Sequence, residues 1–160
     1  RCKTQAHVYA VQRRIKEFTG GMERRARRHD ASKFKTPEIE AFTNVTRKIE
    51  GLTYGSPEYR AATAELGPAL AHHYAHNDHH PEHFGDPKKE DVVAKMDLFQ
   101  LVEMVCDHYA AAERHDDGDV RKSLDHNTGR FNLSPQLASI LANTIERWPT
   151  KNPLPGTSTA

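Results

Sequence analysis

Residues 92–114 read VVAKMDLFQLVEMVCDHYAAAER, and this stretch has the strongest helical pattern in the chain. Its apolar residues recur every three or four positions along one face, as in an amphipathic helix. They are Leu98, Leu101, Val102, Val105, Tyr109 and Ala112. The other side carries Glu103 and Asp107 among small and apolar residues. A helix that is partly apolar on two sides usually lies in the middle of a bundle, so we expect both carboxylates to face the interior.

The rest of the chain also reads as helices, and no segment alternates like a strand. Helix starts are marked by capping residues or prolines at Thr36-Pro37, Ser56-Pro57, Gly67-Pro68, Asp119 and Ser134-Pro135. Gly20-Gly21 is expected to end the first helix, a second covers about 22–33, and 77–91 reads as a loop. The sequence predicts an all-α single domain of six or seven helices over 1–149, with a flexible tail at 150–160.

Composition excludes several classes of protein. The 160 residues are 36% hydrophobic, and no apolar run approaches the ~20 residues needed to cross a bilayer. Cys2 and Cys106 are too few for a disulfide scaffold. No glycine-rich phosphate-binding motif is present. We expect a cytoplasmic protein with no membrane contact, in the host cytoplasm if phage-encoded, and the sequence leaves its oligomeric state open.

Positive charge is concentrated near the start of the chain. Residues 1–35 hold 11 Lys and Arg against 3 Asp and Glu, although the whole chain has a net charge of only +1. This asymmetry predicts an anionic partner. Four arginines between Arg24 and Arg28 fan over one side of the second predicted helix. Such a face binds nucleic acid in some proteins, but a solvated surface is its commoner role.

Histidine is the second unusual feature, since 6 of the 11 histidines lie between His72 and His83. Histidine is the commonest metal ligand and transfers protons near neutral pH. An exposed metal-scavenging tract is the alternative. Tyr74, Pro81 and Phe84 are interleaved with the histidines and favour a folded segment. We therefore expect two or three of these histidines to be ligands.

The His29-Asp30 pair shares one side of its predicted helix with Lys33. Alone it would indicate an exposed Asp30–Lys33 ion pair. His7, however, lies on the apolar side of the first helix, and a hairpin at Gly20-Gly21 would bring it beside His29. Glu103 and Asp107 would supply buried carboxylates that need a cation. An internal ion pair of Asp107 with Lys95 or Arg114 is the alternative.

The order His7, His29-Asp30, Asp107 resembles the HD-domain superfamily of metal-dependent phosphohydrolases, in which a His, a His-Asp doublet and a late Asp lie on helices. The string from His29 to Lys33 also matches the His-Asp-x-x-Lys sequence of many members. The resemblance covers roughly residues 7–114. Members with two metals add two intervening histidines; His72 or His73 and His79 or His80 come in that order here, closer together than is usual. The strings HDASKF, TYGSPEY, HHYAHNDHHPEHF and EMVCDHYAA are also similar to an uncharacterised family of phages and bacteria.

This resemblance implies a phosphohydrolase acting on a nucleotide or another small phosphorylated metabolite. Imidazoles combined with carboxylates suit one or two ions of Fe, Mn, Co, Ni or Zn, which Asp30 could bridge around a hydroxide. Lys33 would stabilise phosphoryl charge, and Glu103 would orient a ligand or act as a general base. Tyr54 and Arg130 are expected to contact substrate. The predicted metal ligands are His7, His29, Asp30, His72, His73, His80 and Asp107.

Two alternatives belong to other functional classes. Some HD-like proteins with extra histidine ligands are di-iron oxygenases, which depend on iron and oxygen. A non-catalytic module stabilised by metal, such as a phage accessory protein, would leave no open coordination position. A phosphohydrolase would instead place phosphate-binding cations in its pocket.

Overall fold

The computed structural model describes residues 2–52, 56–113 and 119–148. Within these ranges it contains seven α-helices and no strand, which confirms the predicted all-α fold. The helices are α1 (Lys3–Ala26), α2 (Glu38–Ile49), α3 (Pro57–Ala64), α4 (Gly67–His76), α5 (Leu98–Glu113), α6 (Val120–Phe131) and α7 (Pro135–Ile145). Short 3₁₀ helices cover Ala31–Phe34, Pro81–Phe84 and Val93–Lys95. Tyr54 and the predicted tail at 150–160 lie outside the described residues.

None of the helices in these ranges has the length and apolarity that crossing a lipid bilayer requires.

Side-chain caps set several helix starts where the sequence predicts them. The Ser56 hydroxyl accepts from the Tyr59 N–H at 3.1 Å, and Ser134 accepts from Leu137 in the same way. The long central helix begins later than predicted, at Leu98. There Gln100 N–H donates to Asp97 Oδ1 at 2.9 Å, and Asp97 N–H donates to Gln100 Oε1 at 2.8 Å. This reciprocal pair is a capping box, which satisfies two backbone donors and fixes the start of α5.

The core lies around α5, which packs against α1 on one side and α6 on the other, while α7 covers α6. Its buried side chains are Val92, Val93, Met104, Val105, Phe131, Leu133 and Leu141. Helices α2, α3 and α4 form a second group. Where the two groups meet, His73 of α4 and His79 and His80 of the loop after it lie beside Asp30, and His79 also contacts Glu103 in the middle of α5.

Helix α1 continues through Gly20-Gly21, so the predicted hairpin is wrong. Gly21 serves a close helix contact instead, because a Cβ there would lie 2.5 Å from the Phe99 ring of α5. The same ring packs against the Phe18 ring, tilted by 31° and with 4.5 Å between centroids. A helix rises about 1.5 Å per residue, so His7 lies roughly 30 Å from the end of α1.

These two glycines make a matched pair for testing the α1–α5 contact. At Gly20 the nearest atom to an added Cβ is the Arg24 guanidinium at 3.7 Å, so Gly20→Ala should gain about 1 kcal/mol of helix propensity. Gly21→Ala should gain the same amount but lose about 1–3 kcal/mol by crowding Phe99. We therefore expect urea unfolding to rank Gly21→Ala below Gly20→Ala. Equal stabilities would mean that Phe99 moves aside freely.

Candidate metal centre

The His29-Asp30 doublet lies where α1 unwinds. Residues 27–30 form a turn after Ala26, so the helix predicted over 22–33 is wrong in its second half. Asp30 has φ 54° and ψ 21°, the left-handed conformation that Asp tolerates better than most residues. The 3₁₀ helix of Ala31–Phe34 follows directly. This local backbone leaves the Asp30 carboxylate buried against α4 and the loop that follows it.

Four side chains form the best ligand group. One ligand atom from each of Asp30, His73, His79 and His80 lies within 4.8 Å of all the others. His73 Nε2 is 2.9 Å from His80 Nε2 and 3.3 Å from Asp30 Oδ1. His79 Nε2 is 3.6 Å from the same Asp30 oxygen. His73 and His79 are almost completely buried, each with 2% of its side chain exposed.

Two atoms of this group have no hydrogen-bond partner. They are Asp30 Oδ1 and His79 Nε2, both buried. Leaving a buried polar atom unpartnered costs free energy, more so for a charged oxygen. A divalent cation coordinated by both atoms would remove that cost. The residues present therefore fit a metal ion.

A second group adjoins the first through Asp30. His29 Nε2 is 3.5 Å from Asp30 Oδ2 and 3.7 Å from Asp107 Oδ1. The two oxygens of Asp30 thus face different groups, as a carboxylate that bridges two ions would. Lys33 Nζ donates to Asp30 Oδ2 at 2.5 Å, so the positive charge of Lys33 lies beside the second group.

Two carboxylates orient the histidine rings. Glu103 Oε1 lies 2.9 Å from His29 Nδ1 and 3.2 Å from His79 Nδ1, while Arg25 Nε donates to its other oxygen at 2.5 Å. Fully buried Glu38 contacts His73 Nδ1 at 2.8 Å. A carboxylate holds the proton on the Nδ1 that faces it. The Nε2 atoms are then free to face the centre, as in carboxylate–histidine–metal arrangements.

Proton affinities reflect this charge distribution. The Asp107 and Glu103 carboxylates raise the pKa of His29 to about 10, so they stabilise positive charge at this point. Burial alone would raise the pKa of Asp30, but the adjacent His73 imidazole and Lys33 ammonium outweigh it and hold that pKa below its usual range. Burial beside His79 and His73 lowers the pKa of His80 to about 3. His80 is therefore neutral and keeps a lone pair for coordination.

Comparison with known proteins gives a family but no activity. The model of a family of unknown function, DUF5662, matches residues 1–147. The chain belongs to DUF5662. The match includes every residue of the two ligand groups. No curated protein and no solved structure shows significant similarity to the chain.

Two predicted ligands of this DUF5662 chain lie elsewhere. His7 is exposed in the second turn of α1, because that helix runs straight through the expected hairpin. The predicted role of His72 as a ligand is also corrected. Its Nδ1 lies 2.7 Å from Glu38 Oε1, and its ring stacks on that of His76 with 3.9 Å between centroids. It belongs to none of the ligand groups among the described residues. His79 takes the place that sequence reasoning gave to His72.

Charged residues also differ from expectation. Arg130 pairs with Glu82 at 2.5 Å and is not among the residues that line the pockets at the centre. Arg25 points inward and pairs with Glu103 and with Asp78, whose Oδ1 lies 2.5 Å from Arg25 Nη2. It is therefore not part of the basic surface that the sequence predicts for Arg24 to Arg28. Asp78 also accepts from Gln100 Nε2 at 2.8 Å. Lys95, the alternative partner of Asp107, pairs with Glu90 instead, and Arg114 lies outside the described residues.

Sequence reasoning missed Glu38 altogether. An acidic residue after Thr36-Pro37 reads as a favourable charge in the first turn of a helix. Nothing in that pattern indicates complete burial beside two histidines.

Proposed function

We propose that this DUF5662 chain binds one or two divalent transition-metal ions and hydrolyses a phosphate ester, either a nucleotide or another small phosphorylated metabolite. The observation that carries the proposal is the pair of buried, unpartnered atoms, Asp30 Oδ1 and His79 Nε2, within a cluster of four potential ligands. Their arrangement supports coordination more directly than any feature of composition does.

The donor set favours particular metals. Three imidazoles and one carboxylate, from His73, His79, His80 and Asp30, suit Fe, Co, Ni or Zn, and with its further carboxylate the second group also suits Mn. Mg and Ca prefer shells made of oxygen atoms. His29, Asp107 and the second oxygen of Asp30 are the residues that would hold a second ion.

A divalent ion bound here would polarise a phosphoryl oxygen and lower the pKa of a coordinated water toward ~7. The protein itself supplies a fixed positive charge at Lys33. Lys33 is half-buried, lies 2.5 Å from Asp30, and has its ammonium 5.4 Å from the centroid of the Phe42 ring. A cation fixed in this way stabilises charge that develops on a transferring phosphoryl group.

Glu103 has a positioning role in this proposal. Its two oxygens already face His29, His79 and Arg25, which leaves little capacity to accept a proton from water. Burial would raise the pKa of Glu103, but hydrogen bonds from His29, His79 and Arg25 hold it below its usual range. Of the two roles expected from the sequence, orienting a ligand or acting as a general base, we therefore assign Glu103 the first.

The HD-like resemblance supports the choice of phosphoryl chemistry only in part. In this chain the His29-Asp30 doublet and the late Asp107 lie together, with His29 Nε2 within 3.7 Å of the carboxylates of Asp30 and Asp107. His7, the first member of the expected order, lies far from them. Three histidines from α4 and the following loop supply the remaining donors.

Phosphate release tests the proposal. The panel is nucleoside mono- and triphosphates, each with Mn, Fe, Co, Ni or Zn added to metal-depleted protein. We expect turnover with at least one pair of metal and substrate. No release from any pair, with metal bound, would exclude a nucleotide as substrate, and failure to hydrolyse simple phosphate monoesters as well would contradict the proposal and favour a metal-stabilised binding module. Oxygen consumption dependent on iron would favour an oxygenase instead.

Lys33→Ala separates metal binding from catalysis. We expect metal content to stay near that of the unaltered protein while turnover falls by about 10²-fold, because a fixed charge-stabilising donor is lost. Lys35→Ala is the matched control, since Lys35 is exposed and outside the ligand groups. Unchanged turnover in Lys33→Ala would remove Lys33 from the catalytic site.

A further inference from the structure

A pocket of about 260 Å³ opens beside the second ligand group, between α1 and α5. We call it the α1–α5 pocket. His29, Glu103 and Asp107 form its inner wall, at the candidate centre. Its outer wall consists of Met22, Ala26, Cys106 and Ala110. The pocket therefore begins at the proposed reacting position and leads away from it.

The outer wall offers nothing that would pair with a charged group. Methyl, thioether and thiol groups form it, and no lysine or arginine of the described residues lines it. The charged groups of the pocket all lie on its inner wall, where His29 Nδ1 and Glu103 Oε1 are 2.9 Å apart. A charged group placed against the outer wall would lose its hydration without finding a partner, which is costly.

A second pocket at the centre differs in chemistry. It has about 300 Å³ and is lined by Arg25, Arg28, His76, Asn77 and Asp78, with His79 and Glu103. Its walls are polar and charged. The centre therefore has one polar and one apolar approach, and the apolar one adjoins His29 and Asp107.

Two alanines create the space in the α1–α5 pocket. Ala26 on α1 and Ala110 on α5 are both exposed to it, and neither belongs to the buried core. A larger side chain at either position would fill the pocket rather than repack the interior. Small residues on both walls are what a site for a bulky uncharged group requires.

We propose that the α1–α5 pocket receives the uncharged organic part of a phosphate monoester while the phosphoryl group lies at His29, Asp30 and Asp107. This rests on the proposed function and specifies its substrate class. In the hydrolysis a P–O bond forms to the oxygen of water, the ester P–O bond breaks, and a proton of that water ends on the released alcohol. Substrates with a further charged group beyond the ester oxygen fit the pocket poorly.

Ala110→Phe tests the inference, with Ala111→Phe as matched control, because Ala111 is also exposed on α5 but is not among the residues that line the pocket. The first readout is binding of 1-naphthol to metal-free protein, followed by its fluorescence. The second is kcat/KM for 1-naphthyl phosphate relative to phenyl phosphate with the metal that the purified protein carries. This ratio cancels changes that affect both esters alike.

We expect Ala110→Phe to abolish 1-naphthol binding and to lower the kcat/KM ratio by about 10-fold or more, the discrimination that a change of pocket volume gives. Ala111→Phe should leave both unchanged. Absent or equal naphthol binding in all three proteins, or an unaltered ratio in Ala110→Phe, overturns the inference. Naphthol binding that Ala110→Phe removes, without hydrolysis of either ester or of any nucleotide in the panel above by the unaltered protein, overturns the phosphohydrolase proposal and supports the pocket's preference for uncharged groups.

Discussion

Asp30→Ala should remove bound metal and activity together. Both oxygens of Asp30 face ligand groups, and one of them has no other partner. Outer-shell substitutions typically weaken metal binding by 10–100-fold, so losing a ligand shared by two groups should weaken it by more than about 100-fold. Elemental analysis of protein purified without added metal, together with phosphate release, measures both effects.

Two further variants sharpen this test. Asn also tolerates a left-handed backbone, so Asp30→Asn removes the charge without the strain that Ala brings. His79→Ala should lose metal in the same way, whereas His83→Ala is a matched control, because His83 is exposed and outside the ligand groups. Metal retained by Asp30→Asn and His79→Ala, or activity that survives Asp30→Ala, would contradict the site.

Chelation should lower the melting temperature clearly. Removing the ion leaves Asp30, Asp107 and Glu103 close together with less compensating charge. An ion at about 1,000 times its dissociation constant stabilises the folded state by about 4 kcal/mol. For a domain of this size, 4 kcal/mol corresponds to a fall of about 10 °C.

Differential scanning calorimetry before and after metal removal measures this shift, and readdition of the metal should restore the original value. An unchanged melting curve after verified removal would instead support a surface histidine tract with no structural role.

Local rules predicted the fold well because they act over a few residues. Ser56, Asp119 and Ser134 cap helices where the sequence places them, since a capping side chain and the N–H groups it accepts from are neighbours in sequence. Gly20-Gly21 was misread for the opposite reason. A glycine pair ends a helix or admits a neighbouring helix, and only the position of Phe99 decides between the two.

In the candidate site, too, sequence predicts what depends on neighbouring residues and not what depends on tertiary contacts. His29 is near Asp30 because the two are neighbours in sequence, and the shared face of Glu103 and Asp107 follows from helical spacing. The choice between His72 and His79 does not, because the chain leaves α4 after His76 and its path through the loop depends on tertiary contacts. Glu38 shows the limit most clearly, since its burial comes from packing of α2 against α4.

The start of α5 is connected to the histidines by an unbroken chain of polar contacts. It runs from the Asp97–Gln100 capping box through Gln100 to Asp78, from Asp78 to Arg25, and from Arg25 to Glu103. Glu103 in turn contacts His29 and His79. By thermodynamic reciprocity, whatever such a chain transmits from the centre to the helix it also transmits from the helix to the centre. We therefore expect fraying of the first turn of α5 to loosen the two imidazoles, and loosening of the imidazoles to promote that fraying.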